Sequence, residues 1–338
     1  MLFLCYIWHG VLKVESSNFI SKSSGRLDKV LSCELNISRN QIEKLIKSNL
    51  VKVDGKIISK PSFKVLPDMN IEYIFIEAKK VEYSDIDINI DILYEDDDIL
   101  VVNKPSGLVV HSAPSVKEPT LVDWLRKKGF RLSTISGEER NGIVHRLDKD
   151  TSGAILIAKS NFAHEQMSKQ LQDRSMGRYY LAVINYPLKE NIVVDKPIAR
   201  NPNNRLKMAI VNGGKSAKTA FAKVISVNKG SELIAAKLFS GRTHQIRVHL
   251  SALNRYILGD KLYAPQSVKV EHRIYLHAYL LYFKHPRSNR VIEIKAPLFK
   301  DMREYIDRKF NKGVNYVELE NRFIKELFKE HNSFTCIK

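Results

Sequence analysis

Apolar positions recur along the chain in two periods, and the change of period divides it. Leu27, Val30 and Leu31 fall at i, i+3 and i+4, one face of a helix. Ile42, Leu45 and Ile46 repeat that spacing after Ser38, which with Gln41 fits a capping box. The period then drops to two. Leu50-Val51-Lys52-Val53 reads as a strand, Asp54-Gly55 as a hairpin turn and Lys56-Ile57-Ile58 as the return strand. A strand over 71–76 completes a small α/β module, with a boundary expected near Lys79-Lys80.

Strands dominate from there on. Two flank an acidic turn at 92–102, with Pro105-Ser106-Gly107 turning afterwards. Ile143-Val144 is expected to enter a polar turn that Ala154-Ile155-Leu156-Ile157-Ala158 leaves as a buried strand. Residues 178–184, 215–226, 232–239, 274–278 and 291–298 read as further strands. Helices are fewer. Thr120 caps a short one. Ser160 caps another running to Arg174, with Ala163, Met167 and Leu171 inward. Thr243 is expected to cap a third, with Ile246, Leu250 and Leu253 inward. The expected fold class is α+β: a curved, mostly antiparallel mixed sheet with flanking helices, beside the small α/β module. The expected divisions are an extension at 1–23, the module at 24–80, the main domain at 81–300 and a charged helical tail at 301–338.

Composition adds a partner. The 338 residues hold 55 Lys and Arg against 37 Asp and Glu, a net charge of +18. That excess favours a polyanion: RNA, DNA or an acidic membrane. The apolar run Leu2 to Trp8 is too short to span a membrane and lacks a basic leader, so no membrane or secretory role is expected. Cys5, Cys33 and Cys336 show neither pairing nor metal spacing, which fits a reducing, cytoplasmic setting. No oligomerisation pattern is visible, so a monomer is expected. No Gly-rich nucleotide-binding turn is present, which argues against a nucleotide cofactor and against a methyltransferase.

Three strings carry chemistry. In His145-Arg146-Leu147-Asp148-Lys149-Asp150-Thr151-Ser152-Gly153, turn chemistry accounts for Asp150, Ser152 and Gly153. It does not account for His145-Arg146 placed just ahead of the carboxylate of Asp148, with only Leu147 between. Asp148 is therefore a candidate nucleophile or general base, although most Asp-rich turns are only turns. In Gly241-Arg242-Thr243-His244-Gln245-Ile246-Arg247, cations gather at a helix start, suited to a carboxylate or phosphate. Asn103-Lys104-Pro105-Ser106-Gly107 is the third; there Lys104 reads equally as a surface lysine on a β-turn. Asp96, Asp97 and Asp98 diverge on a turn, and His145, His244 and His249 fit no zinc spacing, so no metal is expected.

The nine-residue string from His145 closely resembles the signature of RluA-type pseudouridine synthases, which convert uridine within RNA to pseudouridine. The other two strings resemble further family motifs, and 25–73 resembles the RNA-binding module first known from ribosomal protein S4. The resemblance runs from about Gly25 to Leu298. It implies Asp148 as the essential residue, Arg247 as its partner and Tyr180 as the residue that stacks on the target base. It places Arg146, His145, Lys104, Arg242, His244 and Gln245 beside the RNA, with Arg26, Arg39, Lys44 and Lys52 of the small module. It implies no cofactor and no metal. A ribosomal RNA target, of the large subunit, is expected, with transfer RNA as the alternative. A non-catalytic RNA-binding protein would show damage in these strings, and none is seen.

Overall fold

The structure is a computed structural model that describes residues 14–35, 39–76, 88–113, 116–226, 230–265, 272–310 and 321–338. Ser38, the Lys79-Lys80 boundary, the apolar run near the start and the side chain of Lys44 lie outside what is described. The chain forms two compact units that divide between Ser84 and Asp85.

In the first unit, helices Leu27–Leu35 and Arg39–Lys47 pack on a sheet ordered Val14–Ile20, Asn70–Ile76, Val51–Val53, Lys56–Ile57. Leu27, Leu31, Ile42, Ile46, Val51, Val53, Val65 and Ile71 fill its core. Asp54 (φ 48°) and Gly55 (φ 74°) both take the left-handed region, the turn that matches the twist of a two-residue hairpin. Asp28 is buried at the first helical turn and accepts from Arg26 and Arg39 at 2.9 and 2.6 Å. Those two guanidinium groups hold its carboxyl down to about 2.

The second unit is built on an 11-stranded sheet among the described residues. Its path runs Thr335–Ile337, Ile192–Asp195, Lys218–Ser226, Ser231–Leu238, Gly177–Asn185, Leu276–Lys284, Ser152–Ala158, Ile99–Lys104, Asp91–Glu95. Two pairings are parallel: Ile192–Asp195 with Thr335–Ile337, and Leu276–Lys284 with Ser152–Ala158. The other ladders are antiparallel, which gives the mixed α+β sheet expected. Helix Asn161–Gln172 starts at Ser160, whose hydroxyl accepts the Ala163 N–H, and buries Ala163 and Met167. Helix Leu121–Lys127 starts with a full capping box between Thr120 and Asp123.

Three elements depart from expectation. Ile143 and Val144 form no strand; Ile143 makes one isolated bridge to Ile157. Thr243 does not cap the third helix, which runs Gln245–Ala252 after His244 in the left-handed region (φ 56°). The side chain of Gln245 ties this turn instead, accepting from Ser240 Oγ and Arg242 N and donating to Lys218 O and Thr219 Oγ1. Beyond Asp301, Met302, Tyr305, Ile306, Phe310, Ile324 and Phe328 enter the same core as Tyr179, Leu181 and Val183, so the charged tail also covers one face of the sheet. Among the described residues no helix is long and apolar enough to cross a membrane.

Candidate active site

The loop before Ser152–Ala158 is held from both sides. Lys104, read above as a possible surface lysine, is fully buried. Its ammonium donates to the carbonyls of Pro105 and Leu108, both at 2.8 Å, and of Lys149 at 2.9 Å. The Lys149 carbonyl also accepts the Gly107 N–H at 3.0 Å, and Asp150 O accepts the Ser106 hydroxyl at 2.6 Å. The Asn-Lys-Pro-Ser-Gly string is therefore a clamp on the Asp148 loop. Burial pulls the Lys104 pKa down to about 7, with Asp148 and Asp150 opposing. Three carbonyl acceptors match the three N–H donors of an ammonium, and so favour the charged form.

The far end of the loop is closed by close packing. Gly153 (φ 113°) pairs with Ala278, and a Cβ there would lie 2.3 Å from the Ala278 carbonyl oxygen. Ser152 Oγ meets His277 Nδ1 at 2.9 Å and accepts from Arg273 at 3.0 Å. Inside the loop, His145 Nε2 accepts the Leu156 N–H at 3.1 Å, and burial pushes its pKa down to about 3. His145 is thus a neutral brace. Its neighbour Arg146 is exposed.

Arg247 reaches the loop from the third helix. Its Nη1 lies 3.4 Å from Asp148 Oδ2, across 99 residues of sequence. It is held more tightly by Asp260, which accepts Nε at 2.8 Å and Nη2 at 2.7 Å in a two-pronged pair. Burial disfavours the guanidinium charge, but Asp260 and then Asp148 more than offset it and raise the pKa. Asp260 carried no role in the sequence reading, although the Leu258-Gly259-Asp260 stretch was visible; nothing local links it to a residue 13 positions away.

Asp148 and Arg247 line a cavity of about 570 Å³ with Tyr180, Arg146, Arg242 and His244. Tyr180 is 5% exposed; burial pushes its phenol up to about 12, so the ring stays neutral. Tyr179 faces away, packed on Tyr282 and Phe328. Arg242 is exposed and donates through Nε to Ser216 O. His244 meets Tyr263 Oη at 2.9 Å, and burial lowers its pKa. Gln245 is spent on its own turn. The structure thus gathers Asp148, Tyr180, Arg247, Arg146, Arg242, His244, His145 and Gln245 around one cavity, with Lys104 behind the loop. In the first unit Lys52 is exposed, and Arg26 and Arg39 are half-exposed beside Asp28.

The acidic turn is used internally. Asp96 accepts from Tyr94 Oη and His285, and Asp98 pairs with Arg287. Arg174, Lys218 and Arg178 also line the cavity, and Arg178, on the strand that carries Tyr180, is only 8% exposed. Burial lowers its pKa, and among the described residues no carboxylate pairs with it.

Residues 98–252 match the family model described as RNA pseudouridylate synthase, and residues 25–71 match the S4 domain model. An RNA pseudouridine synthase of Helicobacter pylori strain J99 is 49% identical over 296 residues, covering 85% of this chain and 90% of that one. Ribosomal large subunit pseudouridine synthase D of Zymomonas mobilis is 36% identical over 291 residues, covering 82% and 91%. The human protein RNA pseudouridylate synthase domain containing 1 superposes with a TM-score of 0.51 at 26% identity, covering 62% of this chain and 84% of that chain. With this extent of similarity, and an S4 domain ahead of the synthase match, the chain belongs to the RNA pseudouridine synthase family.

Proposed function

We propose that this enzyme isomerises uridine in large-subunit ribosomal RNA, with Asp148, Arg247 and Tyr180 as its reacting centre. Relatives named ribosomal large subunit pseudouridine synthase D, from Zymomonas mobilis and Vibrio vulnificus, support the target at 36% and 35% identity. The net charge of +18 and the S4 match support a polyanionic RNA. The observation that carries the reading is the 3.4 Å approach of Arg247 to Asp148 on the wall of one cavity.

The reaction breaks the bond from uracil N1 to the ribose C1′ and forms one from C5 to C1′. The C5 proton is lost and N1 regains one, so the balance needs neither oxidant nor energy source. A carboxylate serves the covalent part of such a step. Arg247 orients Asp148, and Asp260 orients Arg247. The target base must leave the RNA stack to reach them. Exposed Arg146, two residues from Asp148, fills the vacated place, while the neutral Tyr180 ring offers a stacking face. His145, Lys104 and Gln245 serve the RNA indirectly, by bracing the loops that carry Asp148 and Arg242.

Mapping pseudouridines in ribosomal and transfer RNA from cells with and without the gene tests the target. Loss of a large-subunit ribosomal site is expected. Loss confined to transfer RNA overturns that assignment. Asp148→Asn should bind RNA with unchanged affinity and form no pseudouridine; retained turnover overturns the role of Asp148.

A further inference from the structure

Arg178 is a buried cation that is paired with no carboxylate among the described residues. Its Nε is buried with no hydrogen-bond partner, and among the described residues neither a carboxylate nor a carbonyl meets its guanidinium. Other enclosed arginines of the same unit are engaged. Arg247 holds Asp260, Arg273 holds Asp301, and Arg255 donates to Pro187 O. Arginine cannot shed its proton to escape burial. An ion left unpaired in a poorly solvated place is strongly unfavourable. Such a residue facing a cleft points to a ligand that brings the missing charge.

The surroundings say what that ligand is. Arg178 and Tyr180 are two residues apart on Gly177–Asn185, so they share a face of the sheet and line the same cavity. Their separation along the strand is about 7 Å, comparable to the reach from a base to the phosphate of its own nucleotide. Opposite them runs the 240–243 turn. A Cβ at Gly241 would come within 2.7 Å of Arg178 Nη1, so the turn and the guanidinium lie in close approach. Arg146, Arg174, Lys218, Arg242 and Arg247 line the same cavity, with Asp148 as the one carboxylate among the described lining residues. An anion is therefore favoured there, at a place offset from Asp148.

We propose that Arg178 binds a non-bridging phosphodiester oxygen of the RNA, at the phosphate next to the uridine that stacks on Tyr180. This rests on the reading of the cavity as the uridine site. A guanidinium fork matches two phosphate oxygens and reads no base, so the contact positions the nucleotide and carries no sequence preference. It forms only once the nucleotide has swung into the cavity. Arg178 therefore acts on the extruded state, while exposed arginines govern first encounter.

The test uses the full-chain protein and a synthetic RNA fragment containing the uridine mapped as above, which the wild type must turn over; that control separates failure of the site reading from failure of the anchor. Each phosphate flanking the uridine is replaced singly by a neutral methylphosphonate. With wild type, one replacement should slow single-turnover pseudouridine formation about 30-fold or more. Arg178→Gln should be slowed to a similar degree on unmodified RNA, and the same methylphosphonate should then cost it less than about twofold. Arg178→Lys should fall between, since a point charge replaces a fork. Independent, multiplying effects of protein and RNA changes overturn the proposal. Thermal unfolding supplies a second reading. Removing an uncompensated buried charge should leave the Tm of Arg178→Gln equal or raised, and a large drop would show that the guanidinium serves the fold and overturn the anchor.

Discussion

Asp260→Asn isolates the contribution of the residue that holds Arg247. In the wild type the two side chains are 1% and 8% exposed and meet through bonds of 2.7 and 2.8 Å. Asp260 Oδ1 also accepts the Leu262 and Tyr263 N–H groups. Asparagine is nearly isosteric, so no cavity opens, but an NH2 group must now face either a guanidinium or a backbone N–H. Breaking one half of a buried ion pair costs about 3–5 kcal/mol. Asp148, 3.4 Å from Nη1, keeps Arg247 from standing wholly unpaired, which places the cost near the lower figure, about 3 kcal/mol. In a unit of this size that lowers Tm by about 6–12 °C. The freed guanidinium then swings towards Asp148 and turns its carboxylate. A displacement of about 1 Å at a reacting group costs on the order of 100-fold in rate. Scanning calorimetry and single-turnover pseudouridine formation read the two effects, with RNA affinity as a control that should not move. A variant with Tm within about 1 °C of wild type and a rate within about twofold would refute the positioning role of Asp260.

Further outcomes follow from the same geometry. Lys104→Met strands the Pro105 and Leu108 carbonyls at about 1–3 kcal/mol each and leaves Lys149 O with the Gly107 N–H alone, yet relieves the burial that pulls the Lys104 pKa to about 7, worth about 5 kcal/mol. Stability should thus change little while the rate falls about tenfold or more, because the Lys149 carbonyl loses its clamp; unchanged kinetics would refute the clamp. Gly153→Ala forces a Cβ against the Ala278 carbonyl at positive φ and should cost about 2–6 kcal/mol, read as a lower Tm or loss of soluble protein; a wild-type Tm would contradict it. Asp28, its pKa depressed from 3.8 to about 2 by Arg26 and Arg39, contributes stability that is present above pH 3.8 and lost as pH falls through 2. Amide exchange in the first unit should show that acid loss, and Asp28→Asn should abolish its pH dependence over this window.

Much of the site was legible because its residues sit in strings whose order is itself informative. Asp148 stood out as a carboxylate that turn chemistry left over. Tyr180 was singled out by the family resemblance, and strand alternation then sent its neighbour Tyr179 to the opposite face. Lys104 was not legible: a lysine after a strand reads the same on the surface and in the interior, and only the three carbonyls gathered around its ammonium distinguish them. Arg178 was read as part of a strand, since its isolation depends on what fails to approach it. Thr243 looked like a cap because its residue type favours that place. His244 takes the cap position instead, with Gln245 bonded to four neighbours across the turn.

Local order therefore determined the α+β class and the helix–helix–hairpin module ahead of a larger sheet, while the pairing of Asp148 with Arg247 was implied only by the resemblance to a known family. The class and the module rest on periodicity, turn chemistry and contiguous motifs, which act over a few residues. Tertiary structure decided which arginine has a partner and which has none among the described residues, that Asp260 holds Arg247, and that the charged tail also buries six apolar side chains. Those outcomes depend on burial and on contacts between residues far apart in the chain. The energy of a charge is set by what surrounds it in three dimensions, and no spacing along the chain encodes that directly.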